Sequence, residues 1–311
     1  MNGVEWLGLK LAVGVTATGT ILAAFGTALP ESVVTFVATA FGHNDAEREL
    51  GVGAALGGPL VLSTIAYATV GVMLLICRHP LKRTPDVERQ FRRLARDQGW
   101  FLLIFGVKIA LGLIAFAYKP WLGFLFLAAY ALYFWREMRP GTAEQEDGEA
   151  LGPLYLAGRK REATLALSLT QTLIALVVIF AASKVFVGRL DSLGPALGLK
   201  PQLLALLLSP IATELPETMN AIIWVRQGKH RLALANISGA MMIQATVPTA
   251  CGLFFTPWLL DKSLILGAGV TAAAIVAMFA AFRAGILSRV FLASMGLLYG
   301  VFAVVLVVLR L

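Results

Sequence analysis

Two copies of one short pattern, 186 residues apart, each set a proline and a glutamate inside a run of apolar residues. The first reads Gly26-Thr27-Ala28-Leu29-Pro30-Glu31 and the second Ala212-Thr213-Glu214-Leu215-Pro216-Glu217. Thr, Leu, Pro and Glu recur at that offset, as does a following glycine, Gly42 and Gly228, which marks an internal duplication. A carboxylate held in hydrocarbon is costly and is by default a functional residue. A proline at the same depth leaves backbone carbonyls without their helical donors. Two such places in one chain point to a cation pathway.

Composition makes that interior a membrane. Hydrophobic residues make up 58% of the chain and charged residues only 14%, far from the balance of a soluble domain. Segments such as 101–114 and 301–309 are apolar all round, which excludes a surface helix of a soluble fold. The expectation is an all-α polytopic membrane protein with about nine spans: 11–41 (broken near Pro30), 52–77, 100–118, 120–135, 163–188, 201–226 (broken near Pro216), 232–256, 263–283 and 288–310.

The net charge of +8 raises the question of nucleic acid, but its distribution gives a different answer. Arg78, Lys82, Arg83, Arg89, Arg92, Arg93 and Arg96 follow the second span, and Arg136, Arg139, Arg159, Lys160 and Arg161 follow the fourth. Arg226, Lys229 and Arg231 follow the sixth, and Arg283 and Arg289 the eighth. These loops, with Lys10, lie on one side, which the positive-inside rule makes cytoplasmic and which puts the C-terminus outside. The expected partners are the lipid bilayer of a cell or inner membrane and inorganic cations, with no nucleic acid. The sequence carries no signal of oligomeric state.

A polar, turn-rich stretch around Gly141 to Glu149 divides the chain into a first half (1–140), a cytoplasmic linker (141–162) and a second half (163–311). Cys77 and Cys251 fall in or beside spans, so no disulfide framework is implied. The first apolar segment contains Pro30 and Glu31 and lacks a basic start, so no cleavable signal peptide is expected. The second pattern lies five spans after the first, so the two helices cross in opposite directions. This is an inverted repeat, a device that brings discontinuous helices together at the midplane.

The local chemistry favours a hard cation. Thr27 and Glu31, like Thr213 and Glu217, are four residues apart and share a helix face. Each proline exposes the carbonyl four residues back, Gly26 and Ala212. Carboxylate, hydroxyl and carbonyl oxygens are what Ca²⁺ coordinates, and the lack of His or Cys in these helices argues against zinc or copper. The structural alternative is that each threonine only bonds back to its own helix. No nucleophile and base stand at workable spacing in the spans, so an enzyme is not expected, nor is a cofactor.

At these residues the chain resembles the calcium/cation antiporter superfamily, whose sodium/calcium exchangers carry G-T-S-x-P-E in each α-repeat, followed by L-A-L-G-N-x-x-G-S-N. Here the second copy continues Leu232-Ala233-Leu234-Ala235-Asn236-Ile237-Ser238-Gly239-Ala240, and the first, more loosely, Gly53-Ala54-Ala55-Leu56-Gly57-Gly58. The resemblance implies that Glu31 and Glu217 are the acidic ligands of a shared Ca²⁺ site. It places Thr27 and Thr213 beside them and Gln244 where the family has an Asn or Asp ligand. The departures are Ala28 and Glu214 for the serines after each threonine, Gly58 and Ala240 for those of the second helices, and Leu62 for a final Asn or Asp. Hydroxyls that would line flanking Na⁺ sites are largely gone, which puts a three-sodium coupling in doubt.

A third acid stands in their place. Glu214 precedes Glu217 by three residues, so Glu31, Glu214 and Glu217 are expected to crowd one cavity. There they cannot all ionise together, and a cation would displace a proton. Coupling to Na⁺ and to H⁺ both remain open. Lys108, near the middle of its span, is expected to neutralise Glu214 or to act as a tethered internal cation. Thr35, Ser63, Thr64, Asn220, Ser238 and Thr246 are weaker candidates, and His43, Asp45, Glu47 and Glu49 are expected in a solvated external loop. The family's first helix has no counterpart before Pro30, by a late start or by loss. The implied function is a cation antiporter exchanging Ca²⁺, or a similar ion, against Na⁺ or H⁺ by alternating access. The alternative is a non-transporting cation sensor or scaffold whose coupling sites have eroded.

Overall fold

In the computed structural model the residues described are 3, 6, 24–78, 85–137, 153–157, 164–197 and 201–308. Lys10, Lys82, Arg83, Arg139, Arg159, Lys160, Arg161 and the linker acids lie outside them, as do residues 11–23 of the first expected span. Regular structure among the described residues is helical. The first half holds α1 (Ala24–Phe41), α2 (Asp45–Val61), a π-helical turn (Leu62–Ala66) leading straight into α3 (Tyr67–Ile76), α4 (Pro85–Gly112), a 3₁₀ turn (Lys119–Leu122) and α5 (Gly123–Glu137). The second holds α6 (Leu165–Leu197), α7 (Pro201–Thr213), α8 (Leu215–Arg226), α9 (His230–Phe255), α10 (Lys262–Ala284) and α11 (Arg289–Val308). Four continuous stretches, Asp45–Ile76, His230–Phe255, Lys262–Ala284 and Arg289–Leu306, are long and apolar enough to cross a bilayer by length and composition. This is a multi-pass helical membrane protein.

Helices outrun the apolar spans at two places, each for a local reason. α2 starts at Asp45 because Asn44 accepts the Glu47 N–H (2.7 Å) while Glu47 Oε2 accepts the His43 N–H (2.8 Å), a reciprocal N-terminal cap. Asp45, Glu47 and Glu49 therefore build the first turns of a helix instead of a loop. α4 starts at Pro85, so Arg89, Arg92, Arg93 and Arg96 sit on a helix whose opposite face buries Val87, Phe91, Leu94 and Ala95 at helical spacing. Gln90 and Arg231 fix this extension to the start of α9 by two hydrogen bonds, of 2.7 and 2.9 Å.

The two pattern prolines behave differently. α1 runs unbroken through Pro30, against the break expected there. The second copy does break: α7 ends at Thr213, Glu214 adopts φ −87° and ψ 3°, and α8 begins at Leu215. Pro30 removes one donor, which a helix absorbs. The second copy also carries Pro210 inside α7, so two prolines within two turns strip donors from Leu206 and Ala212, and the helix parts between them.

The halves pack on each other in exchanged pairs. α2 lies along α7 while α9 lies along α1; α3 lies on α11 while α9 also covers α5; and α4 meets α10. Gly57 makes the α2–α7 crossing possible, because a Cβ there would overlap Pro210 and the Leu206 carbonyl. α9 runs through the centre, buried along nearly its whole length. Between α4 and α5, Lys119 points inward and donates to the carbonyls of Ile114 (2.6 Å), Pro257 and Trp258 (2.9 Å each), tying that corner to the α9–α10 connection.

Candidate cation site

The break at Glu214 and the intact helix α1 meet at the centre of the molecule. Glu31 is fully buried, and its Oε2 accepts the hydroxyl of Thr213 from the other half. The same hydroxyl, with its one proton, also reaches the Ser209 carbonyl at 3.0 Å, so the bond to its own helix competes with the one to Glu31. Glu214 is buried beside it and accepts the side-chain amide of Gln244 on α9. That amide reaches inward over Gly58, where any Cβ would overlap it. Glu217 is buried one turn into α8 and lies with Glu31 within Coulombic reach of Glu214. Pro216 leaves the Ala212 carbonyl, and Pro30 that of Gly26, without a helical donor. The side chain of Thr27 lies outside the described residues.

The three acids share this region without forming one ligand cluster. Among the described residues no three His, Cys, Asp or Glu side chains are grouped so as to hold a metal ion. The expected crowding of Glu31, Glu214 and Glu217 set Glu214 on the face of Glu217; the break falls at Glu214 itself, where its carboxylate accepts from Gln244. Glu31 Oε1, Glu214 Oε2, Gln244 Oε1, Ser209 Oγ and Thr35 Oγ1 are all buried without a hydrogen-bond partner among the described residues. So many orphaned buried oxygens call for an explanation, and they are of the types that a hard cation coordinates.

Lys108 does not serve Glu214. It is wholly buried, and its Nζ donates to the carbonyls of Ala55 (2.7 Å) and Gln244 (3.5 Å), with Glu31 as the acid within Coulombic reach. Phe105 and Trp258 face it at 5.7 and 5.8 Å from their ring centres. Ala55 was not legible as a site residue, because a backbone carbonyl has no letter in the sequence, and no repeated pattern marks Trp258, which faces Lys108 with its ring. The weaker candidates divide. Ser63, Thr64 and Thr246 bond back to carbonyls of their own helices, whereas Ser238 accepts from Gln98 across to α4 (3.2 Å). Thr35 Oγ1 and the Nδ2 of Asn220 are buried without a hydrogen-bond partner among the described residues.

A family model for the sodium/calcium exchanger protein matches residues 1–138 and 167–308. The chain belongs to the sodium/calcium exchanger family. It is 26% identical over 247 residues to the inner membrane protein YrbG of Escherichia coli (strain K12), covering 78% of this chain and 70% of that one. Among solved structures, the sodium-calcium exchanger NCX_Mj soaked with zero Na⁺ and Ca²⁺ superposes with a TM-score of 0.61 at 15% identity, over 98% of this chain and 94% of that one. Native YfkE gives 0.67 at 13% identity, over 97% and 87%. The H⁺/Ca²⁺ exchanger CAX gives 0.57 at 16%, over 99% and 84%. At these identities the likeness is one of fold.

Proposed function

We propose that this sodium/calcium exchanger family member is a secondary-active antiporter that moves Ca²⁺, or a cation of similar hardness, against Na⁺ or H⁺ by alternating access. The observation that carries the reading is the contact between the halves: the Glu31 carboxylate of one copy accepts the Thr213 hydroxyl of the other, with Glu214, Glu217 and Gln244 around it. In this reading the cargo sits among oxygens from both copies, and rocking of one part against the other opens it to alternate sides. The exchanged packing of α1, α2, α3, α4 and α5 against α9, α7, α11, α10 and α9 supports an inverted repeat with about nine crossings. The basic loops then lie in the cytoplasm and the C-terminus outside. No cofactor and no enzymatic step is needed: carboxylates, hydroxyl, amide and carbonyls bind the ion, and the gradient supplies the work.

Relatives support the two couplings equally, since one solved exchanger carries sodium-calcium in its name and another H⁺/Ca²⁺. Tracer ⁴⁵Ca²⁺ uptake into proteoliposomes tests the proposal directly. Accumulation driven by an outward Na⁺ gradient or by a pH gradient, and collapsed by the matching ionophore, is the expected result. Uptake that responds to neither gradient, with protein correctly inserted, overturns antiport and leaves a sensor or scaffold.

A further inference from the structure

Two prolines outside the duplicated pattern each remove the donor of one carbonyl near the site. Pro59 in α2 has no N–H to give the carbonyl of Ala55, and Pro248 in α9 has none to give that of Gln244. These are the two carbonyls that accept from Lys108 Nζ, at 2.7 and 3.5 Å. They come from different halves of the chain, and both residues are wholly buried. The ammonium reaches them from a third element, α4, and its remaining sides face the rings of Phe105 and Trp258. Trp258 is itself held in place, its indole N–H donating to the Lys108 carbonyl at 3.1 Å. Glu31 lies within Coulombic reach.

Freed backbone carbonyls beside a carboxylate, deep in a membrane, are the ligands that strip water from a monovalent cation. We propose that Ala55 and Gln244 form a monovalent-cation site and that Lys108 fills it with its own ammonium, a cation the chain carries on a tether in place of a dissociable Na⁺. An ordinary buried lysine finds a carboxylate or snorkels to the interface. Lys108 instead uses two carbonyls that prolines have made available, one from each half, which ties it to the same centre as Glu31. The proposal rests on the antiporter reading only in its consequence for coupling, which is one dissociable cation fewer per cycle. The site itself is read by binding, without a gradient, so a chain that fails to transport still answers the question.

The test is Lys108→Ala in the full-length purified protein, with equilibrium ²²Na⁺ binding and the Na⁺ dependence of Tm measured against N-methyl-D-glucamine chloride. The expected result is a gain of one saturable Na⁺ per chain over the wild type and a Tm that rises with Na⁺. Adding Pro59→Ala and Pro248→Ala returns amide donors to the two carbonyls and should abolish that gain. A folded Lys108→Ala protein that binds no more Na⁺ than the wild type overturns the proposal. So does a gain that survives the two proline replacements. Should Lys108→Ala fail to fold, recovery of monodisperse protein in high Na⁺ or ethylammonium, but not in N-methyl-D-glucamine, supports the site. Failure to recover with any of these cations overturns it.

Discussion

Glu214 shows how far single residues could be read. Its type and position marked it as the acid that replaces a hydroxyl, and the structure puts it at the centre, accepting from Gln244 with Glu217 and Glu31 within Coulombic reach. Glu31, Thr213, Glu217 and Gln244 were legible because side chains in a repeated pattern declare themselves. Ala55 was not, because its part is played by a carbonyl, and the only sign of it is the proline four residues on. If Glu214 gives up a proton when a cation enters, adding Ca²⁺ to unbuffered protein with a pH dye should show acidification. Glu214→Ser should reduce it by roughly one proton per ion bound. Equal release from both proteins would remove Glu214 from the coupling.

At the scale of elements, apolar runs located the helices but not their ends. Hydropathy misses the cap at Asn44, which polar groups make, and the start of α4, whose narrow apolar stripe is interleaved with arginines. The two pattern prolines looked alike in the sequence; the difference lies in Pro210, which adds a second lost donor to α7 and decides that the break falls there. The α2–α7 crossing it occupies depends on Gly57. Gly57→Val should destabilise the protein by about 1–3 kcal/mol through overpacking and weaken Ca²⁺ binding, because Thr213 stands one turn beyond Pro210. Gly106→Ala, where a Cβ meets nothing within 4 Å, is the matched control and should stay within about 0.5 kcal/mol. Equal thermal midpoints for the two variants would show that the crossing tolerates a side chain.

For the whole molecule, the duplication predicted what matters most, that two distant stretches meet. A single constant offset in the sequence becomes exchanged packing of one half on the other, with α9 at the centre. The break in only one copy, and the lysine reaching carbonyls of both halves, were out of reach, since they depend on which carbonyls lose their donors and which side chain lies nearest. The central claim is that one cation site draws its acids from both copies. It is tested by gradient-driven ⁴⁵Ca²⁺ uptake with Glu31→Gln and Glu217→Gln measured beside the wild type, each shown to be folded and inserted. Both should lose transport while keeping expression and thermal stability, because a buried amide is easier to accommodate than a lone carboxylate. Wild-type uptake by either variant would contradict the shared site.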